Sequence, residues 1–219
     1  MTDQLIFNFP ITKNYSKEDF YVSTSNKEAY DFIVSWPKWV KRIVNIFGPR
    51  GSGKTHIASI LKNKTSVLET DANLLDDKIF HNFKTKEVIV IRNLDEKVEE
   101  KIFFSLWNTA LHDNKYFLIT SIHPINTYKF KLKDLSSRAN SCTSIGIKLP
   151  TDELISVILT KNFSDKQITI DKKHIDYIIK RIDRSYEKIS QFISILDKNS
   201  LKNATPPNLK LIKEVLKMI

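Results

Sequence analysis

Gly48-Pro49-Arg50-Gly51-Ser52-Gly53-Lys54-Thr55 sits between two segments of different periodicity. Before it runs Ile43-Val44-Asn45-Ile46-Phe47, a short apolar stretch that reads as a buried strand. After it, Lys54 to Lys62 places Ile57, Ala58, Ile60 and Leu61 at helical spacing. The octapeptide satisfies G-x-x-x-x-G-K-[ST] at every fixed position. Only 4 glycines occur in the chain, and Gly48, Gly51 and Gly53 are among them. Glycine costs backbone entropy, so this concentration marks a turn of unusual geometry. Such a turn points N–H groups at phosphate oxygens, and the next helix aims its positive end at the same charge. Lys54 would reach the outer phosphates, and the Thr55 hydroxyl would ligate Mg²⁺. The loop therefore predicts a bound nucleotide, with Pro49, Arg50, Ser52 and His56 completing its wall.

Outward from the loop, strands alternate with helices. Ser66 to Thr70 can form a strand, and Val88-Ile89-Val90-Ile91 is unbroken and β-branched. Glu96 to His112 carries Ile102, Phe103, Leu106 and Leu111 at helical spacing. Phe117 to Ser121 is a strand that turns polar at its end, and Thr143 to Lys148 is another. This alternation predicts an α/β fold on a parallel sheet. The pattern changes at Pro150. Beyond it, Asp152 to Asp165, Asp171 to Ile182, Ser185 to Asn199 and Asn208 to Ile219 read as amphipathic helices, with Pro206-Pro207 separating the last two. The expected organisation is an N-terminal peptide, 1–12, a nucleotide-binding α/β domain, 13–149, and an all-α lid, 150–219.

Composition narrows the class. The chain has 219 residues, 41% hydrophobic and 27% charged, which is ordinary for a folded globular protein and excludes a disordered or fibrous one. No apolar run approaches the ~18 residues of a membrane span. Met1 to Phe9 lacks a basic region, so no signal peptide is expected and the cytoplasm is the simplest location. Cys142 is the single cysteine, which excludes a disulfide framework. The net charge of +10 attracts polyanions, but the basic residues are dispersed rather than blocked, so DNA contact is expected to be indirect or weak. His56 and His123 lack metal-ligand spacing. Trp36 and Trp39 around Pro37 read as packing for a helix end.

The longer string GPRGSGKTHIA, Gly48 to Ala58, resembles the DnaA-related family of AAA+ ATPases. Two further segments agree. Phe20-Tyr21-Val22 with Ser25-Asn26 looks like the family's adenine-side element, so the resemblance assigns Phe20 and Val22 to the nucleotide. Asp134-Leu135-Ser136-Ser137-Arg138 looks like its D-L-x-S-R element, whose arginine acts on a neighbouring molecule's nucleotide. The helical tail resembles the AAA+ lid. DnaA carries a DNA-binding domain after the lid, and none is read before Ile219, as in the short regulatory-inactivator (Hda-like) branch. Gln4-Leu5-Ile6-Phe7-Asn8-Phe9 is similar to a bacterial sliding-clamp-binding hexapeptide. Gln4 would hydrogen-bond at a pocket rim while Leu5, Phe7 and Phe9 fill an apolar groove, each contributing roughly 1.5–3 kcal/mol before entropy is subtracted.

Two positions depart from the family. Arg92 follows the strand Val88 to Ile91 where the family has an aspartate that holds Mg²⁺, and a guanidinium repels a cation. Asp95 or Glu96 could substitute only if the strand end is rearranged, because an odd shift reverses the faces of a strand. Thr120 or Ser121 is the expected γ-phosphate sensor. In the lid, Glu187 falls where the family has a sensor arginine, leaving Arg184 or Lys188 to contact nucleotide. Together these features predict that ADP or ATP is bound, with weak hydrolysis by the chain itself. The expected function is that of a regulator tethered to the DNA polymerase III sliding clamp. Arg138 would promote hydrolysis of ATP held by DnaA and so restrain replication initiation. The alternative is a DNA-binding helicase loader or accessory initiator. A homodimer is among the oligomeric states left open.

Overall fold

The structure, a computed structural model, describes residues 20–203 and 206–219, with the backbone alone at Asn203. The expected clamp-binding residues Gln4, Leu5, Phe7 and Phe9 lie outside the described residues.

Five strands form one sheet: β1 (Ile43–Phe47), β2 (Val67–Asp71), β3 (Val88–Leu94), β4 (Tyr116–Ser121) and β5 (Thr143–Gly146). Their order is β2-β3-β4-β1-β5, and every pairing is parallel. Parallel sheets are covered on both faces, which explains the unbroken apolar run of β3. Alternate side chains divide between two cores. Val44, Ile46, Val88, Val90 and Leu118 pack with α1 (Lys27–Val34) and α2 (Lys54–Lys62). Ile89, Ile91, Phe117 and Ile119 pack with α3 (Lys78–Phe83), α4 (Glu100–His112) and α5 (Lys133–Ser141). Trp39 closes the end of α1, its indole N–H donating to the Phe32 carbonyl at 2.8 Å.

The remaining chain is helical: α6 (Asp152–Asp165), α7 (Lys172–Ile179), α8 (Tyr186–Asn203) and α9 (Leu209–Met218). Thr151 and Asn208 cap α6 and α9 by accepting backbone N–H groups three residues on. Ile155, Leu159, Phe163, Ile178, Phe192, Leu196, Ile212 and Val215 belong to a third apolar cluster built within this C-terminal region. The parallel α/β sheet and the helical C-terminal region are those expected from sequence. No described helix is long and apolar enough to cross a membrane.

Several element boundaries differ from the sequence expectation. The strand expected at 66–70 runs one residue later. The helix expected from Glu96 begins at Glu100, because the Asp95 carboxylate accepts the Lys97 N–H at 2.8 Å and turns the chain first. The short helices α1, α3 and α5 add to the elements read from sequence.

β3 also contains a bulge. Ile91 pairs with Ile119, yet Leu94 pairs with Ser121, so β3 carries one residue more than β4 over that span. Asn93 takes a left-handed φ of 55° there, and its N–H meets the Thr120 hydroxyl at 3.3 Å. The extra residue reverses the alternation of faces. Leu94 packs in the core of Ile89 and Ile91, where strict alternation would place it with Val88 and Val90.

Candidate functional site

The phosphate loop lies at the C-terminal edge of the sheet, where β1 ends at Phe47 and α2 begins at Lys54. That edge is where parallel α/β sheets place their ligands. The Gly48 N–H donates to the Ser121 carbonyl at 3.2 Å and ties the loop to β4. Gly53 caps α2 in the left-handed conformation, φ 89°, and offers no side-chain cap to its first turn. A Cβ added to Gly53 would lie 3.1 Å from the Phe20 ring. Phe20 therefore seats directly on the loop, stacked parallel to Tyr30 at 5.6 Å and edge-on to His56 at 5.2 Å. On the other side, a Cβ at Gly51 would meet Tyr186 Cβ at 3.0 Å. Only glycine lets both neighbours approach so closely.

A cavity of about 880 Å³ opens beside the loop. Arg50 to His56, Asn93 to Lys97, Ser121 to His123 and Tyr128 line it. Lys54 is buried, and its ammonium donates to the Gly48 and Pro49 carbonyls at 2.7 Å each. Burial, with Arg50 beside it, lowers the Lys54 pKa to about 8. Ser52 is only 4% exposed, yet its hydroxyl oxygen has no hydrogen-bond partner. A buried hydroxyl without a partner costs about 1–3 kcal/mol. A phosphate oxygen would satisfy it, so the loop fits the nucleotide that its spacing implies. Lys54 and Ser52 would hold the phosphates, Thr55 a cation beside them, and Phe20 the base side.

The expected site residues divide into two groups. Arg50, Gly51, Ser52, Gly53, Lys54, Thr55, His56 and Ser121 line one cavity, and Gly48, Pro49 and Phe20 pack on its wall. Val22 is half-buried and does not line that cavity. Nor does Thr120, whose hydroxyl accepts the Asn93 N–H instead. Arg184 is 61% exposed and pairs with Asp152 at 2.9 Å, away from the cavity lining. Lys188 donates to the Ile219 carbonyl at 2.6 Å. Arg138 lies in the last turn of α5, its guanidinium 5.0 Å from the centre of the Phe104 ring, with Nη1 buried and without a partner.

Arg92 does not line the cavity either. Its guanidinium turns to the edge strand β2, 2.8 Å from Asp71 and 3.3 Å from Glu69. The acids that do line the cavity are Asp95 and Glu96.

Two contributors escape a sequence reading. Asn45 is fully buried within β1 and donates to the Ser121 hydroxyl at 2.8 Å, which in turn donates to the His123 carbonyl at 2.6 Å. Its only signal is one amide inside an apolar strand. Tyr186 opens α8, 6% exposed, and its hydroxyl donates to the Lys148 carbonyl at 3.1 Å. Its contact with Gly51 links residues far apart in sequence.

No family model matches the chain. It is 25% identical to the chromosomal replication initiator protein DnaA of Borrelia duttonii over a 238-residue alignment, covering 94% of this chain and 49% of that protein. Over most of its length the chain is similar to DnaA. It spans about half the length of the curated relatives it matches. Domain III of Thermotoga maritima DnaA superposes with a TM-score of 0.75 at 18% identity, covering 95% of this chain and 98% of that one. AMPPCP-bound DnaA from Aquifex aeolicus superposes with a TM-score of 0.70 at 18% identity, covering 91% and 69%. The fold is therefore that of the DnaA AAA+ domain, with its phosphate loop and C-terminal helices.

Proposed function

We propose that the chain binds an adenine nucleotide and regulates DnaA-driven initiation of replication. The observation that carries this reading is the DnaA-type fold with a glycine loop whose buried Ser52 hydroxyl lacks a partner, beside Lys54 in the same cavity. The AMPPCP in the Aquifex aeolicus structure supports an adenine nucleotide as the ligand.

The finer reading is an inactivator of the Hda type. Gln4, Leu5, Phe7 and Phe9 tether the chain to the sliding clamp, and Arg138 is presented in trans to ATP on DnaA. A guanidinium at that position stabilises charge developing on the transferred phosphoryl, a contribution of roughly 10³–10⁵ in rate in other nucleotide hydrolases. To act, Arg138 exchanges its seat over Phe104 for that phosphoryl group.

The test is DnaA-bound ATP hydrolysis in the presence of DNA-loaded clamp. Arg138→Ala is expected to remove the stimulation while leaving nucleotide binding intact. Lys54→Ala is expected to abolish nucleotide binding. Undiminished stimulation by Arg138→Ala excludes this arginine as the finger. A second reading, a helicase loader or accessory initiator with its own ATP cycle, is favoured by the two acids on the cavity wall. ATP turnover by the purified chain, lost in Lys54→Ala and without effect on DnaA, selects it.

A further inference from the structure

We propose that Asn45 is a positioning residue for the nucleotide cavity: it pins the wall formed by Ser121, Ile122 and His123 and, through Ser121, the phosphate loop. The inference rests on the nucleotide reading above and adds the residue that sets the shape of that site.

Asn45 lies in the middle of β1, beside Ile119 of β4 and Ser144 of β5, and is fully buried. By alternation its side chain shares the sheet face of Ile43, within an apolar core. An apolar side chain would fill that place without the cost of desolvating an amide. The amide instead uses its whole hydrogen-bonding capacity. Its Nδ2 donates to the Ile119 carbonyl at 3.2 Å and to the Ser121 hydroxyl at 2.8 Å. Its Oδ1 accepts the Ile125 N–H at 2.9 Å and the Ser144 hydroxyl at 3.4 Å.

The placing of these partners carries the inference. Ser121 ends β4, and Ile125 opens the 3₁₀ turn that follows, so one amide grips both ends of the step made by Ile122, His123 and Pro124. No strand pairing holds that step, because the ladders of β4 end at Ser121. Ile122 and His123 line the cavity with Ser121. The Ser121 hydroxyl has one proton and gives it to the His123 carbonyl at 2.6 Å, so it has none to offer a phosphate. Ser121 acts instead by holding the wall, while its carbonyl accepts the Gly48 N–H at 3.2 Å. The Gly48 carbonyl in turn accepts the Lys54 ammonium at 2.7 Å. A hydrogen-bonded line thus runs from Asn45 through Ser121 and Gly48 to the lysine of the loop. Binding groups keep their geometry only when the side chains behind them are themselves locked.

The test is binding of fluorescent ADP and ATP analogues to the full chain, beside urea unfolding of the same proteins. Asn45→Leu, which keeps the bulk and removes the amide, is expected to bind both analogues about tenfold more weakly. Ser121→Ala is expected to weaken both by similar factors. The double variant is expected to bind no more weakly than the weaker single variant, since both changes break one linkage. A lowered urea midpoint with unchanged affinity of the folded Asn45→Leu protein means that Asn45 serves folding alone, and overturns the proposal. Losses that multiply in the double variant overturn it too. So does a loss in Ser121→Ala confined to the ATP analogue, which places its hydroxyl on the third phosphate. Should circular dichroism show that Asn45→Leu does not fold, Ser121→Ala decides: an equal loss for both analogues supports the linkage, and no loss overturns it. These failures leave the nucleotide reading standing, whereas no binding of either analogue by wild type overturns both.

Discussion

Lys54 has a lowered pKa because it is buried beside Arg50, and both disfavour its charged form. Below about pH 8 the ammonium is present and can meet a phosphate. Above it, the nucleotide-free protein has released the proton, and binding must first restore it. Nucleotide affinity is therefore expected to fall as pH rises through about 8, by up to tenfold per unit. A titration of affinity between pH 6.5 and 9.5 checks this, and a flat profile would show that Lys54 does not carry the phosphate contact. Folding responds with the opposite sign. The unfolded chain holds this proton up to its ordinary value near 10.5, so this group's contribution to stability rises with pH between about 8 and that value. Ser52 gives a companion case. Ser52→Ala removes a buried hydroxyl without a partner, so nucleotide-free protein is expected to hold or gain up to about 1–3 kcal/mol in urea unfolding while binding nucleotide more weakly.

At the scale of elements, the end of β3 organises two surfaces at once. Its bulge sends Arg92 to Glu69 and Asp71 on the edge strand β2 and delivers Asp95 and Glu96 to the cavity. Arg92→Ala leaves two partly buried carboxylates short of a partner. The expected loss is about 1–3 kcal/mol by denaturant unfolding, with nucleotide affinity unchanged because Arg92 does not line the cavity. A matching loss of affinity would place Arg92 in the binding machinery. The strand itself is evident in Val88 to Ile91, since a continuous β-branched run suits a parallel strand covered on both faces. Its last three residues are not evident. Arg92, Asn93 and Leu94 have no period, and the bulge depends on Thr120 and Asp71 from neighbouring strands. The start of α4 is not evident for a similar reason, because the Asp95 turn onto Lys97 competes with the helix the apolar spacing suggests.

At the scale of the molecule, the sheet and the C-terminal helices have separate apolar cores. Tyr186 links them: its Cβ and backbone lie against Gly51, and its hydroxyl donates to the Lys148 carbonyl. Burial raises the Tyr186 pKa to about 12, so the phenol keeps its proton and that bond across the neutral range. Phe192→Ala empties the centre of the helical core and is expected to cost about 3–5 kcal/mol. Hydrogen exchange should then show amides of α6 to α9 losing protection before those of β1, β3 and β4. Simultaneous loss throughout would mean that the two cores unfold as one.

Local pattern was enough for the parallel sheet, the phosphate loop and the four C-terminal helices. Backbone propensity, apolar period and glycine placement act over a few neighbouring residues, so they are written in sequence order. The direction taken by Arg92, the seats of Arg138 on Phe104 and Arg184 on Asp152, and the approach of Tyr186 to Gly51 were decided by tertiary structure. Long side chains have many rotamers of similar energy, and the one adopted depends on charges and surfaces brought from distant segments. A loop that binds phosphate can thus be read from eight residues, whereas the groups that complete its cavity exist as neighbours only once the chain has folded.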